Sequence, residues 1–491
     1  MAHSVVFYMQ DDLGTSEASA SAGARGLDPA DWSGLRALGH RIIDDLFDGF
    51  EGLADAPVWR QLPAGLRAGL RAPLDDRGVG AEASYAELRD TVMPYASANN
   101  HPGFMGWVQG GGTAVGMLAE LIAAGLNPNC GGRDHAGIEL ERQVIGWSAR
   151  MLGLPETAGG VLTSGSSIAN FIGVLAARTA ALGPGVRAAG IAGAPLVAYA
   201  GTCAHGCVPR ALDMAGLGTD ALRAIPAAPG AGMDVAALRA AIEADRAAGR
   251  LPFLVVATAG SVDTGGFDDL GAIAAICAEF RLWLHVDAAF GAFAALSPAL
   301  APLLAGIERA DSVAFDFHKL GQVPYDAGCI VVRDVARLSA TFAQSAAYLG
   351  RESRGLAANS PWPCDLGPEL SRGFRALKVW MTIKSYGAAR LGAVTEAACA
   401  VARALGARIA AEPALELLAP VAFNIVCFAP RGMAGAAVRE LVADVQESGV
   451  AAPSTTIIDG RTAIRAAIVN HRTTAADTDR MVDAVLARIG K

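Results

Sequence analysis

The 491-residue sequence is sparing with charge: Asp, Glu, Lys and Arg make up only 18%, and the balance is acidic, at −8. That balance argues against nucleic acid as the main partner, because phosphate recognition needs clustered Lys and Arg. Cysteines are few and scattered, at positions 130, 203, 207, 277, 329, 364, 399 and 427. A disulfide framework belongs to short secreted chains, which this is not. Cys203, His205 and Cys207 lie close together, but no second Cys/His pair follows to complete a four-ligand zinc site, so no metal is expected. No secretory signal is expected at the N-terminus either, since Asp11 and Asp12 come early and no basic stretch precedes an apolar one. Long apolar helices are absent too. The longest run without Asp, Glu, Lys or Arg, Thr91–Ala119, is broken by Pro94, Pro102 and a series of glycines, and Ala188–Pro209 is broken in the same way. Neither run makes a spanning helix, so the expectation is a soluble, cytoplasmic protein with no membrane partner.

Apolar residues, by contrast, are plentiful. At 52% they exclude general disorder, and the length allows two to three domains. Residues 1–27, small and polar from Thr15 onwards, are expected to be disordered. An N-terminal helical segment is assigned to 28–95, where Leu35, Leu38, Ile42, Ile43, Leu46 and Phe50 recur at helical spacing. A large domain spans 96–370. Its strand-length apolar runs are Leu196–Tyr199, Phe253–Ala257, Leu282–Val286, Val313–Phe315 and Cys329–Val332, with helical patterns at Val235–Ala248 and Leu270–Phe280. Such alternation predicts an α/β fold around a mostly parallel central sheet. Residues 371–491 form a small C-terminal α/β domain: a long helix from Phe374, a strand over Val421–Phe428, a helix over Ala436–Ser448, a strand pair within Thr455–Ile468, and a last helix from Ala475.

Two short stretches carry the chemistry. Leu284-His285-Val286-Asp287-Ala288-Ala289 ends an apolar strand on a carboxylate, and Asp316-Phe317-His318-Lys319 follows another strand, with Lys319 32 residues after Asp287. Parallel sheets bind ligands at the carboxyl edge, where both groups are expected to meet. A lysine and an aspartate in one apolar pocket suit pyridoxal phosphate: the amine condenses with the cofactor aldehyde, and the carboxylate keeps the pyridine nitrogen protonated. A structural ion pair would leave the same signature, and by these residues alone the two readings stay open.

The words His285-Val286-Asp287-Ala288-Ala289, Ala310-Asp311-Ser312 and His318-Lys319 resemble the group II pyridoxal-phosphate-dependent amino acid decarboxylases, which include the aromatic amino acid and glutamate enzymes. The resemblance runs from about Leu35 to near the C-terminus. It implies the pyridoxal-phosphate-dependent transferase fold (fold type I) and a homodimer, with the N-terminal segment packing on the partner. It further implies that Lys319, His205, Asp287 and Tyr348 are catalytic. Ser166, Ser167, His205, Asp287, Ala289, Asp316, His318 and Lys319 would hold the cofactor, the two serines on its phosphate and His205 on its ring. Small residues opening a helix at Thr163–Ser167 agree with phosphate binding.

The same resemblance gives Arg372 the substrate α-carboxylate, and Tyr348, before the Gly350–Ser360 stretch, the proton delivered to Cα. One departure stands out, because Val262 replaces a threonine common in the family. His101–Gly110 resembles the substrate-side wall; Phe104 and Trp107 lie there without Lys or Arg, which favours an aromatic or apolar side chain. The expected reaction is therefore decarboxylation of an L-amino acid to the amine and CO2. The alternatives are an aldehyde synthase or carbon–carbon lyase on the same fold, or a non-catalytic regulatory protein. The glycines at 110–116 precede no clear strand–turn–helix unit, so an NAD site is not read there.

Overall fold

The computed structural model describes residues 26–29, 31–73, 76–344 and 350–489. The reading of the N-terminal tail therefore falls almost wholly outside the described residues, and that of Tyr348 falls outside them completely.

Runs of Val, Ile, Leu and Ala without polar alternation become strands buried on both faces. They are β1 (Gly159–Thr163), β2 (Leu196–Gly201), β3 (Leu222–Ile225), β4 (Leu251–Thr258), β5 (Trp283–Asp287), β6 (Ser312–Asp316) and β7 (Gly328–Val332), in the order β1-β7-β6-β5-β4-β2-β3. The pairs from β6 through to β3 are parallel, while β7 runs against both its neighbours. The expected mostly parallel α/β sheet is present. Helices cover it, and two of them, Val235–Ala247 and Leu270–Phe280, start on Asp234 and Asp269, whose carboxylates accept N–H groups of the first turn. Such caps contribute about 1 kcal/mol each.

The parallel arrangement fixes where chemistry collects. Thr258, Asp287 and Asp316 are the last residues of β4, β5 and β6, so their side chains gather at one edge. The loop after β1 comes to the same edge because Gly328 lets it approach: a Cβ there would sit 2.4 Å from the Gly165 Cα.

A second sheet holds β8 (Leu415–Leu417), β9 (Ile425–Pro430), β10 (Ser454–Ile458) and β11 (Arg461–Ala467), all antiparallel, in the order β10-β11-β9-β8. The strand expected from Val421 starts only at Ile425, after Asn424 turns its side-chain N–H onto the Ile468 carbonyl at 2.9 Å. The helix Arg375–Ala411 links the two sheets and bends at Gly387, which has φ 76°. Ala376 and Val379 pack into the core of the large sheet, and Ala402, Leu405 and Ile409 into that of the small one. The N-terminal helix Trp32–Glu51 buries Leu38 alone and leaves Trp32 and Leu35 exposed. Among the described residues no helix is long and apolar enough to cross a membrane.

Candidate active site

A cavity of about 550 Å³ lies at the carboxyl edge of the large sheet and is closed from the other side by β10 and β11. Lys319 enters it three residues beyond β6, on a segment anchored by Phe317, whose ring packs edge-on against Phe293 and Phe315. The Lys319 Nζ lies 2.8 Å from Asp316 Oδ2. Burial works to raise the Asp316 carboxyl, but Lys319, His318 and Ser166 outweigh it and hold it below the usual carboxylate range. Burial likewise works to lower Lys319, and Asp316 reverses that, so the amine is held as a cation.

Asp287 is fully buried at the end of β5. Burial pushes its carboxyl up, opposed by Lys319, by a hydrogen bond from Asn170, by His205, and by the Ala289 N–H at 3.2 Å. His205, in the loop after β2, also lines the cavity; its Nδ1 accepts the Cys207 N–H at 3.2 Å, leaving Nε2 as the nitrogen without a protein partner among the described residues. His318 accepts the Ala327 N–H on Nδ1 at 3.1 Å, and its ring packs 4.2 Å from that of Tyr325. Burial lowers its pKa, opposed by the nearby Asp316.

The structure thus brings Lys319, Asp287, His205, Asp316, His318, Ala289, Ser166, Ser167 and Trp107 to one cavity. The two serines differ. Ser166 spends its N–H (2.6 Å) and its hydroxyl (2.7 Å) on Asp316, which removes it from the phosphate contact expected of it. Ser167 is exposed to the cavity, and its hydroxyl has no partner among the described residues.

Two further expectations fail. Arg372 does not reach the cavity. It is buried on Glu141, with Nη1 and Nη2 at 2.9 and 2.7 Å from the two carboxylate oxygens, and also donates to the Cys130 carbonyl at 2.9 Å. Glu141 is buried as well and accepts the Leu162 N–H, so Arg372 is its counter-charge. The neighbouring Arg375 and Lys378 pair with Glu369, Asp326 and Glu120, so this cationic run is consumed within the fold. Phe104 also misses the cavity; it is buried with Val58 and Ala452, beneath the exposed Trp107.

The cavity holds an arginine the sequence did not single out. Arg465, on β11, donates through Nε to the Val262 carbonyl at 3.0 Å and through Nη1 to Ser454 Oγ at 3.3 Å. Val262 takes part through its backbone while its side chain lines the cavity. A single signal was available: an arginine within Ile464-Arg465-Ala466, where both faces of the strand are buried. Lys319 and Arg465 are the only Lys or Arg among the described residues lining the cavity.

These residues fit pyridoxal phosphate: an amine and a buried carboxylate share one cavity, Ser167 opens a helix there, and the buried Thr258 hydroxyl that lines it has no protein partner among the described residues. Its volume suits a cofactor with a small substrate.

Comparison with known proteins agrees. Residues 63–431 match the family model of the pyridoxal-dependent decarboxylase conserved domain. The chain is 31% identical over 453 residues to the aromatic-L-amino-acid decarboxylase of Bacillus atrophaeus, covering 90% of this chain and 93% of that protein. The crystal structure of Oryza sativa TDC with PLP and tryptamine superposes with a TM-score of 0.85 at 27% identity, covering 94% of this chain and 99% of that one. Rhodiola rosea 4-hydroxyphenylacetaldehyde synthase gives 0.80 at 25% identity, covering 94% and 98%.

Proposed function

The chain belongs to the pyridoxal-phosphate-dependent amino acid decarboxylases, and from that premise we propose that it converts an L-amino acid with an aromatic or apolar side chain to its amine and CO2. One observation carries the substrate half of this reading: Arg465 is the cavity's only guanidinium among the described residues, and no carboxylate of those residues forms an ion pair with it, Asp263 acting on it only at longer range. A buried arginine of this kind suits the substrate α-carboxylate, because a charge-assisted fork compensates both groups. With Arg465 so engaged, no second cation remains for an acidic side chain, while Trp107, Val108, Val262 and Phe290 offer an apolar wall. The relatives named for aromatic substrates support the same class.

When bound, pyridoxal phosphate supplies the electron-withdrawing ring that takes up the electron pair left at Cα as CO2 departs. The protein's part is to place charges. Lys319 would offer its amine to the cofactor aldehyde, and Asp287, as a carboxylate, would hold the proton on the ring nitrogen. Ser167, through its hydroxyl and its backbone N–H at the start of the helix Ser166–Leu182, would hold the phosphate. His205 presents Nε2 to the cavity as a proton carrier. Arg465 orients the departing carboxylate, and the apolar wall keeps water from the reacting carbon. Tyr348, which lies outside the described residues, is assigned the proton delivered to Cα.

The test is a panel of L-amino acids with purified, cofactor-loaded protein, following amine, aldehyde, ammonia and CO2 together. Equimolar amine and CO2 from an aromatic substrate is the expected result. Aldehyde with ammonia would replace it by the oxidative reading, the activity for which the Rhodiola neighbour is named. Preference for glutamate would overturn the Arg465 argument. A homodimer belongs to the same proposal: Trp32, Leu35, Leu121, Ile122 and Leu126 are exposed apolar side chains of the kind a second copy covers. Sedimentation at a single-chain mass would remove that part.

A further inference from the structure

We infer that Trp283, Ser312, His285 and Asn170 form a one-way chain of hydrogen bonds that delivers only donors to Asp287 and so keeps that carboxylate ionised; this rests on the reading of Asp287 as partner of the cofactor's ring nitrogen. Asn170, His285 and Ser312 are fully buried behind Asp287, outside the cavity lining. They are positioning residues.

The direction follows from chemistry at both ends. At one end the Asn170 amide nitrogen lies 2.8 Å from the Ser166 backbone carbonyl, which can only accept. The amide oxygen therefore faces His285 Nε2 at 2.7 Å, and that nitrogen must carry hydrogen. At the other end the Trp283 indole, which can only donate, gives its N–H to Ser312 Oγ at 2.8 Å. Ser312 then has its own hydrogen for His285 Nδ1, 2.7 Å away, and no other partner for it among the described residues. Both ends demand the same neutral tautomer. Burial without a counter-charge agrees, lowering the His285 pKa to about 3.

The amide's second N–H is left for the Asp287 side: the amide nitrogen lies 3.5 Å from Cys207 Sγ, which stands next to the carboxylate, and Asn170 works to lower the Asp287 carboxyl. Cys207 adds a weak S–H donor 3.7 Å from Asp287 Oδ2, since burial and Asp287 itself push that thiol up and keep it neutral. The packing is built around the ring as well: a Cβ at Gly173 would stand 2.6 Å from His285 Cε1. Reversing any link would turn an acceptor toward Asp287, and a buried carboxylate facing an acceptor takes up a proton. A protonated Asp287 could no longer hold a proton on the ring nitrogen.

The test uses full-length protein loaded with pyridoxal phosphate labelled with nitrogen-15 in the ring, whose chemical shift reports protonation. Wild type is expected to show a protonated nitrogen. Asn170→Leu is expected to move the signal to the unprotonated position and to lower kcat roughly ten- to a hundredfold with KM little changed, the scale seen when the supporting partner of an essential ligand is lost. Ser312→Ala, which removes one hydroxyl, is expected to shift the signal partly in the same direction, and it decides the matter if Asn170→Leu fails to fold. Trp283→Phe leaves the Ser312 hydroxyl free to donate and is expected to keep the wild-type signal. A signal still protonated in Asn170→Leu or, where that variant does not fold, in Ser312→Ala overturns the chain. So does a Trp283→Phe shift as large as that of Asn170→Leu, which would assign the effect to packing. A wild-type protein that takes up no cofactor fells the reading beneath and this one with it.

Discussion

Arg372 and Arg465 are equally buried, at 4% exposure each, yet they are held in opposite ways. Arg372 meets a buried carboxylate on both nitrogens of its fork. Arg465 meets a carbonyl and a hydroxyl, neutral partners that orient it without cancelling its charge. Burial accordingly lowers the Arg465 pKa. A guanidinium cannot escape by losing its proton at ordinary pH. An uncompensated one beside a cavity is therefore built for an anion that arrives from outside, whereas a compensated one is part of the frame.

The largest effect expected from this contrast is on stability at the frame. Arg372→Met strands Glu141 in the interior and should cost about 3–5 kcal/mol, read from urea unfolding; Arg372→Met with Glu141→Leu should recover much of the loss. Arg465→Met should leave the unfolding midpoint close to wild type but lower kcat/KM by about a hundred- to a thousandfold, the cost of about 3–4 kcal/mol for losing one partner of a buried charge contact. Equal loss of stability in both variants would dissolve the distinction.

His285 sharpens the contrast from another side, since a histidine can give up its charge. Its folded pKa of about 3 lies below the unfolded value near 6.5. Between those values the unfolded chain binds a proton that the folded chain does not. Its contribution to stability therefore falls as pH drops from about 6.5, by up to about 1.4 kcal/mol per unit. Urea midpoints at pH 7 and pH 5 should differ in that direction, and His285→Phe should flatten the slope. Smallest is Arg465→Lys, which keeps the charge but loses the fork; a drop of about tenfold in kcat/KM is expected, and an unchanged value would mean that charge alone suffices.

The sequence made the large sheet readable because its strands are continuous apolar runs, buried on both faces by covering helices. It also made the carboxyl edge readable, since Asp287 and Asp316 each end such a run and Lys319 follows directly. The fate of Arg372 was not legible. Its partner Glu141 lies 231 positions away, on a helix whose placement is a tertiary fact. Arg465 was hidden for the same reason, sitting on the small sheet with nothing in its neighbourhood to mark a site. Phe104 and Trp107, three positions apart, part company because the backbone turns at Trp107, where φ is 39°. Spacing alone does not reveal which of two aromatics such a turn leaves inside.

The bend at Gly387 has a consequence for how the molecule responds to its ligands. The helix Arg375–Ala411 is the covalent strut between two sheets, and the cavity is the gap they share: Asp287 and Lys319 stand on one bank, Arg465 and Ser454 on the other. Any carboxylate that spans the gap is mortar between the banks. Occupancy should therefore be felt far from the cavity, as slowed amide exchange in β10 and β11 and a melting temperature that climbs with ligand concentration by ordinary mass action.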